Sequence, residues 1–110
     1  MDQRSLAAKS PSEETILEMV RRIVDRFAPE MIVLFGSHAR GKAGPDSDVD
    51  LLVVMRVEGS KRERTIEIRK ALAGMGLAKD VILVTPEEVE KYRDLVGTII
   101  YPALREGRVL

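Results

Sequence analysis

Two short apolar runs, at residues 31–35 and 51–55, constrain the fold more than any other feature of the sequence. Proline and glycine bound the first run, and Asp48 and Asp50 precede the second. Continuous apolar runs of this length are typical of strands that are covered on both faces. We therefore predict buried strands over 31–35 and 48–55. Alternation along the second strand places Asp48 and Asp50 on the face of Leu52 and Val54.

An amphipathic helix is predicted before the first strand. Ser10 suits its N-cap, Pro11 its first position and Glu13 the capping-box position. Ala28 and Pro29 end it. The apolar residues expected on its inner face follow helical spacing: Ile16, Val20, Ile23, Val24 and Phe27.

The second half of the sequence predicts a helix, a strand and two further helices. A charged helix follows Gly59 and Ser60 and runs to about residue 75, and a third strand covers 80–84. Thr85 begins another capping pattern, which opens a helix to about residue 96. A last helix is expected over 98–106, where Pro102 limits or kinks it. The inner residues expected of these helices are Ile66, Ile68, Leu72 and Met75 in the first and Ile99, Ile100, Ala103 and Leu104 in the last.

This order of elements predicts an α/β fold with a small mixed sheet of about three to four strands flanked by helices. A length of 110 residues suits one apolar core. We expect a flexible N-terminal tail over 1–10 and a single domain over 11–110. The apolar faces of the strands are also compatible with an oligomer.

The composition narrows the classes of function. Eighteen basic residues balance eighteen acidic ones, so the net charge gives no direct evidence for nucleic-acid binding. Cysteine is absent and there is one histidine, which excludes disulfides and argues against a zinc site made by the protein alone. No apolar stretch has the length of a signal peptide or a membrane span. A cytoplasmic protein is therefore expected.

A glycine turn follows the first predicted strand. Gly36 allows a sharp bend and a close approach to a ligand, and Ser37 would begin a short helix within 36–42 whose first N–H groups favour an anion. Arg40 could bring a guanidinium to the same phosphate. A serine that merely caps a helix after a turn is the alternative.

The paired aspartates point to a cation. Two carboxylates about 4 Å apart repel by roughly 4 kcal/mol at an effective dielectric of 20. Mg²⁺ or Mn²⁺ would remove that repulsion and take further ligands from substrate phosphates. In the alternative, Asp48 caps a turn with Ser47 and Asp50 is only a strand-edge residue. Asp80 opens the third strand and could complete a two-metal site, or be a polar residue at a strand start.

Together, these residues resemble a known family signature. The sequence Gly36-Ser37-x-Ala39-Arg40-Gly41, with ten residues between Ser37 and Asp48-x-Asp50, is similar to that of the DNA polymerase β-like nucleotidyltransferase superfamily. The short chain and its ending at residues 105–110 resemble the minimal nucleotidyltransferase (MNT) branch.

The resemblance implies a nucleotidyltransferase that moves a nucleoside monophosphate, expected to be AMP from ATP, to a hydroxyl. Gly36, Ser37 and Arg40 would hold the triphosphate. Asp48 and Asp50 would bind two Mg²⁺ ions, and Asp80 would bind the catalytic ion and act on the attacking hydroxyl.

In the MNT branch the usual partner is an all-helical HEPN toxin, and the transferase is the antitoxin. The resemblance thus implies protein adenylylation of a toxin tyrosine by a type VII-like antitoxin. Two alternatives stay open: a non-catalytic antitoxin that masks its partner, and a transferase acting on a small molecule such as an aminoglycoside.

Overall fold

The computed structural model describes residues 11–39, 41 and 48–110, and these form four helices around a four-stranded sheet. The predicted N-terminal tail, the Ser10 cap, Arg40 and the loop at 43–47 lie outside the described residues. In chain order the elements are α1 (Pro11–Phe27), β1 (Met31–Phe35), β2 (Val49–Val54), α2 (Lys61–Ala71), β3 (Lys79–Val84), α3 (Pro86–Tyr92), α4 (Ile100–Glu106) and β4 (Arg108–Val109).

The sheet is mixed, with strand order β3-β2-β1-β4. β1 pairs antiparallel with both β2 and β4, whereas β2 and β3 are parallel and are joined through α2. The predicted α/β class with a small mixed sheet is therefore confirmed. β4 was not expected, because residues 108–110 carry too short a pattern to predict a strand; Leu110 also donates its N–H to the Ile32 carbonyl at 2.8 Å.

Apolar residues cover both faces of the sheet, as the continuous runs predicted. The first cluster joins alternate residues of β2 to α1 and α2, and it includes Met19, Ile23, Leu51, Ile68 and Leu72, all fully buried. The second cluster joins the other residues of β2 to α4, and it includes Val33, Leu52, Val54, Ile100 and Ala103. Burial of each large side chain contributes about 1.5–3 kcal/mol, so the sheet is held firmly from both sides.

The inner faces of two helices differ from the prediction by a rotation. In α1, Met19 is fully buried while Val24 is 48% exposed. In α2, Ile68 is fully buried while Ile66 is 41% exposed. Each helical residue turns by about 100°, so Val24 and Ile66 lie away from the faces that the buried residues define. Sequence spacing alone could not choose between these neighbouring stripes.

The last two helices are shorter than predicted. α3 ends at Tyr92 rather than near 96, and α4 begins at Ile100. Pro102 is the third residue of α4, where an N–H would have no partner within the helix. The start at Ile100 rather than 98 agrees with the prediction that Pro102 limits this helix. Ile99, expected in the core, is 45% exposed. No helix in the described ranges is both long enough and apolar enough to cross a membrane.

The predicted cap at Thr85 is confirmed and also joins α2 to α3. The Thr85 hydroxyl accepts the Glu88 N–H at 3.1 Å, and the Glu88 carboxylate accepts the Thr85 N–H at 2.9 Å. Lys61 lies 2.8 Å from the same carboxylate. The Lys61 ammonium is the main cause that holds the pKa of Glu88 below its ordinary value, although partial burial of the carboxylate opposes the shift. The hydrogen bond from the Thr85 N–H lowers the pKa further.

Glu88→Gln is expected to lower the free energy of unfolding by about 0.5–1 kcal/mol at pH 7, the size of an exposed ion pair. Glutamine can keep the cap, so the loss reports the charge. Because the folded pKa is depressed, the contribution of Glu88 is present above the unfolded value of about 4.3 and disappears as the pH falls through the folded pKa. Urea unfolding at pH 7 and pH 3 checks this, with Glu90→Gln as the control. A difference in the free energy of unfolding between Glu88→Gln and the wild type that is the same at pH 7 and pH 3 would contradict this prediction.

Candidate active site

Three strands bring the predicted site residues Gly36, Asp50 and Asp80 to one edge of the sheet. Phe35, the last residue of β1, pairs with Asp50, and Asp50 pairs in parallel register with Asp80. Neighbouring strands lie about 4.8 Å apart, so the two aspartates are adjacent although thirty positions separate them in the chain. Asp50 shares its face of β2 with Leu52 and Val54, as alternation predicted.

Gly36 packs directly against Asp50. Its backbone has φ +78°, a left-handed conformation that favours glycine. A Cβ at this position would overlap the Asp50 Oδ2 atom and lie 3.3 Å from Cγ. The missing side chain therefore makes room for the Asp50 carboxylate. The close approach of Gly36 to a ligand stays a prediction.

The short helix predicted within 36–42 is absent from the described part of that segment. Gly36 through Ala39 form a turn instead, in which Ala39 donates its N–H to the Gly36 carbonyl at 3.1 Å. Gly41 follows with φ +71°, which a right-handed helix cannot continue. Ser37 is half-buried in this turn rather than at a helix N-terminus. Its predicted phosphate contact would thus depend on the turn and its hydroxyl, not on a helix dipole.

Asp48 lies just outside β2 and is exposed. The next residue, Val49, is fully buried and donates its N–H to the Ala78 carbonyl at 2.8 Å. This bond fixes the backbone beside Asp48. Strand alternation fixes the face of Asp50 but does not extend to Asp48, because Asp48 is not part of the ladder.

Asp80 is directed toward α2. Its Oδ1 atom lies 3.3 Å from Nη2 of Arg69, and both side chains are about half exposed. Across the described ranges, no three carboxylate or histidine side chains are gathered into a group that could hold a metal ion. The backbone brings the positions of Asp50 and Asp80 to one edge of the sheet, and the role of Asp80 as third ligand stays a prediction.

Arg69 is the residue of this region that sequence analysis missed. Acidic and basic residues alternate along this helix at spacings common on solvated surfaces, so this pattern gives no reason to single out Arg69. Only the position of the last turn of α2 beside the first residues of β3 brings Arg69 to Asp80. A cation near the end of a crossover helix, before a strand that begins with aspartate, is the one signal available in the sequence.

Comparison with known proteins agrees with this geometry. Residues 14–103 match a family model described as a nucleotidyltransferase domain, and they include every proposed site residue. Comparison with curated proteins finds no match. The family match covers most of the chain and supports the superfamily resemblance drawn from its motif. The chain therefore belongs to the nucleotidyltransferase domain family.

Proposed function

We propose that this nucleotidyltransferase is metal-dependent and transfers AMP from ATP to a hydroxyl group. The observation that carries the proposal is the contact of Gly36 with the Asp50 carboxylate beside the in-register Asp80. This arrangement places two acidic residues next to a backbone turn at one edge of the sheet. Carboxylate oxygens on neighbouring strands suit Mg²⁺ or Mn²⁺, so the donor set fits the cation that the motif implies.

Each residue of the motif has a role in this proposal. Asp48 and Asp50 would hold two Mg²⁺ ions, and Asp80 would join them at the catalytic one. The bound ions would offset negative charge on the phosphates. The turn at Gly36, the Ser37 hydroxyl and the Arg40 guanidinium would contact the triphosphate.

In the reaction, an acceptor oxygen bonds to the α-phosphorus while the bond from that phosphorus to pyrophosphate breaks. The Asp80 carboxylate would accept the proton that the acceptor hydroxyl loses. The proposed acceptor is a tyrosine of a HEPN toxin. In this proposal the chain is the MNT antitoxin of that toxin, in a type VII-like toxin–antitoxin pair. The motif and the family support nucleotidyl transfer, and the MNT resemblance supports the choice of acceptor.

A transfer assay tests the proposal. The chain is incubated with α-labelled ATP, Mg²⁺ and the proposed partner, the all-helical HEPN toxin encoded by the neighbouring gene. The labelled residue is then located by mass spectrometry. We expect AMP on a tyrosine of that protein, with toxin activity lost in the same reaction. The double variant Asp48→Ala/Asp50→Ala is expected to transfer no label and to leave the toxin active.

Two results would contradict this assignment. A double variant that still neutralises the partner, with no label on the partner in any sample, would establish masking by binding. Label found only on an added aminoglycoside would establish a small-molecule transferase. Omission of Mg²⁺ from the wild-type reaction tests metal dependence separately.

A further inference from the structure

Arg69 is held in place by the packing of the helix that carries it. Ile68, in the last turn of α2, and Leu72, directly after the helix, are both fully buried in the first cluster. The guanidinium therefore projects from an anchored turn, and it reaches Asp80 Oδ1 at 3.3 Å. Other cations of α2 pair elsewhere: Lys61 with Glu88 and Arg64 with Glu67.

The contact with Arg69 involves the carboxylate that a cation would also need. Asp50 and Asp80 are adjacent in the ladder, and their like charges repel each other. The Arg69 guanidinium offsets the charge of Asp80. A divalent cation shared by the two aspartates would offset the same charge, and two positive groups beside one carboxylate would repel each other in turn.

We propose that Arg69 is a positioning residue that competes with the catalytic cation for Asp80. Arg69 keeps Asp80 turned toward α2 until a cation displaces the guanidinium. Arg69 therefore raises the cation concentration at which Asp80 and Asp50 bind a cation together. This inference rests on the proposed function, because it requires that the aspartates bind a cation.

Binding of Mn²⁺ to the full chain without nucleotide tests the inference, with free Mn²⁺ measured by electron paramagnetic resonance. Arg69→Gln is expected to bind Mn²⁺ about five- to tenfold more tightly than the wild type, since it removes both a competitor and a nearby positive charge. Arg69→Lys restores a cation and is expected to stay within about twofold of the wild type.

Arg64→Gln is the matched control. Arg64 belongs to the same helix and lies 3.3 Å from Glu67, the distance at which Arg69 meets Asp80. Its replacement changes the net charge equally and is expected to leave Mn²⁺ affinity unchanged. A half-exposed ion pair adds little stability, so these variants should fold. Arg69→Ala repeats the measurement if the glutamine variant proves unstable.

The outcomes separate this inference from the proposed function. Wild-type binding of Mn²⁺ with unchanged or weaker affinity in Arg69→Gln overturns the role of Arg69 alone. The weaker affinity would mean that Arg69 orients Asp80 for the cation. No Mn²⁺ binding by the wild type or any Arg69 variant overturns both this inference and the proposed metal site. An equal gain in Mn²⁺ affinity in Arg64→Gln would show that the effect comes from net charge alone, and it would also overturn the inference.

Discussion

Asp50→Asn is expected to reduce nucleotidyl transfer by roughly a thousandfold, the upper range for loss of one group that stabilises a transition state. Asparagine has nearly the same shape, so it can occupy the space beside Gly36. It lacks the negative charge that the proposed shared cation would need next to Asp80. The loss should therefore fall on catalysis and cation binding rather than on the fold.

The matched control for this variant is Asp25→Asn, an exposed change on α1 that removes the same charge. Both variants are expected to unfold within about 1 kcal/mol of the wild type, because Asp25 is exposed and asparagine keeps the size of the half-buried side chain at position 50. Rates of label transfer from ATP and urea unfolding together make the test. Transfer at the wild-type rate by a well-folded Asp50→Asn would show that the reaction does not use this carboxylate.

Gly36→Ala is expected to lose both stability and activity. The added methyl group would be forced into a left-handed backbone conformation, which costs about 1–2 kcal/mol, and would also overlap the Asp50 carboxylate. Overpacking of this kind typically costs another 1–3 kcal/mol. If the carboxylate moves aside to relieve the overlap, it leaves its place beside Asp80. We expect transfer to fall about a hundredfold, by analogy with the effect of about 1 Å of misplacement.

Gly74→Ala separates the two costs. Gly74 has φ +80°, almost the value at Gly36, but nothing within 4 Å would meet an added Cβ. The Gly74→Ala variant should therefore lose about 1–2 kcal/mol of stability, the cost of the left-handed backbone alone, and should transfer label at the wild-type rate. Urea unfolding and the ATP-label assay on both variants check this. If Gly36→Ala and Gly74→Ala lose equal stability and both transfer label at the wild-type rate, the contact of Gly36 with Asp50 is not needed for function.

Local patterns predicted the central strands well. The run at 31–35 forms β1 with the predicted bounds, and the two apolar faces of β2 are covered as its uninterrupted pattern required. Asp48, expected to open the second strand, lies one residue before it, and Asp80, expected to open the third strand, is its second residue. Asp50 lies on the face of Leu52 and Val54, as alternation predicted. Such predictions succeed because strand length and alternation follow from the backbone itself.

The remaining features depend on contacts that no local pattern contains. The choice of Met19 over Val24 for the buried stripe depends on where α1 meets the sheet. The described residues after Gly36 form a turn rather than a helix, because Gly36 packs against Asp50 and both Gly36 and Gly41 have left-handed φ angles. Arg69 reaches Asp80 only through the packing of the end of α2 beside β3. Each of these is a consequence of tertiary placement rather than of propensity.

The parallel pairing of β2 with β3 also determines when the two central aspartates meet during folding. β1 and β2 are consecutive antiparallel strands, so Gly36 and Asp50 can come together by closing one short segment of chain. Asp80 reaches Asp50 only after the chain has crossed back through α2, and such distant pairings close slowly because more chain entropy is lost first. We therefore expect Asp80 to join Asp50 in the sheet after Gly36 and Asp50 have met, because the longer segment of chain must be ordered first.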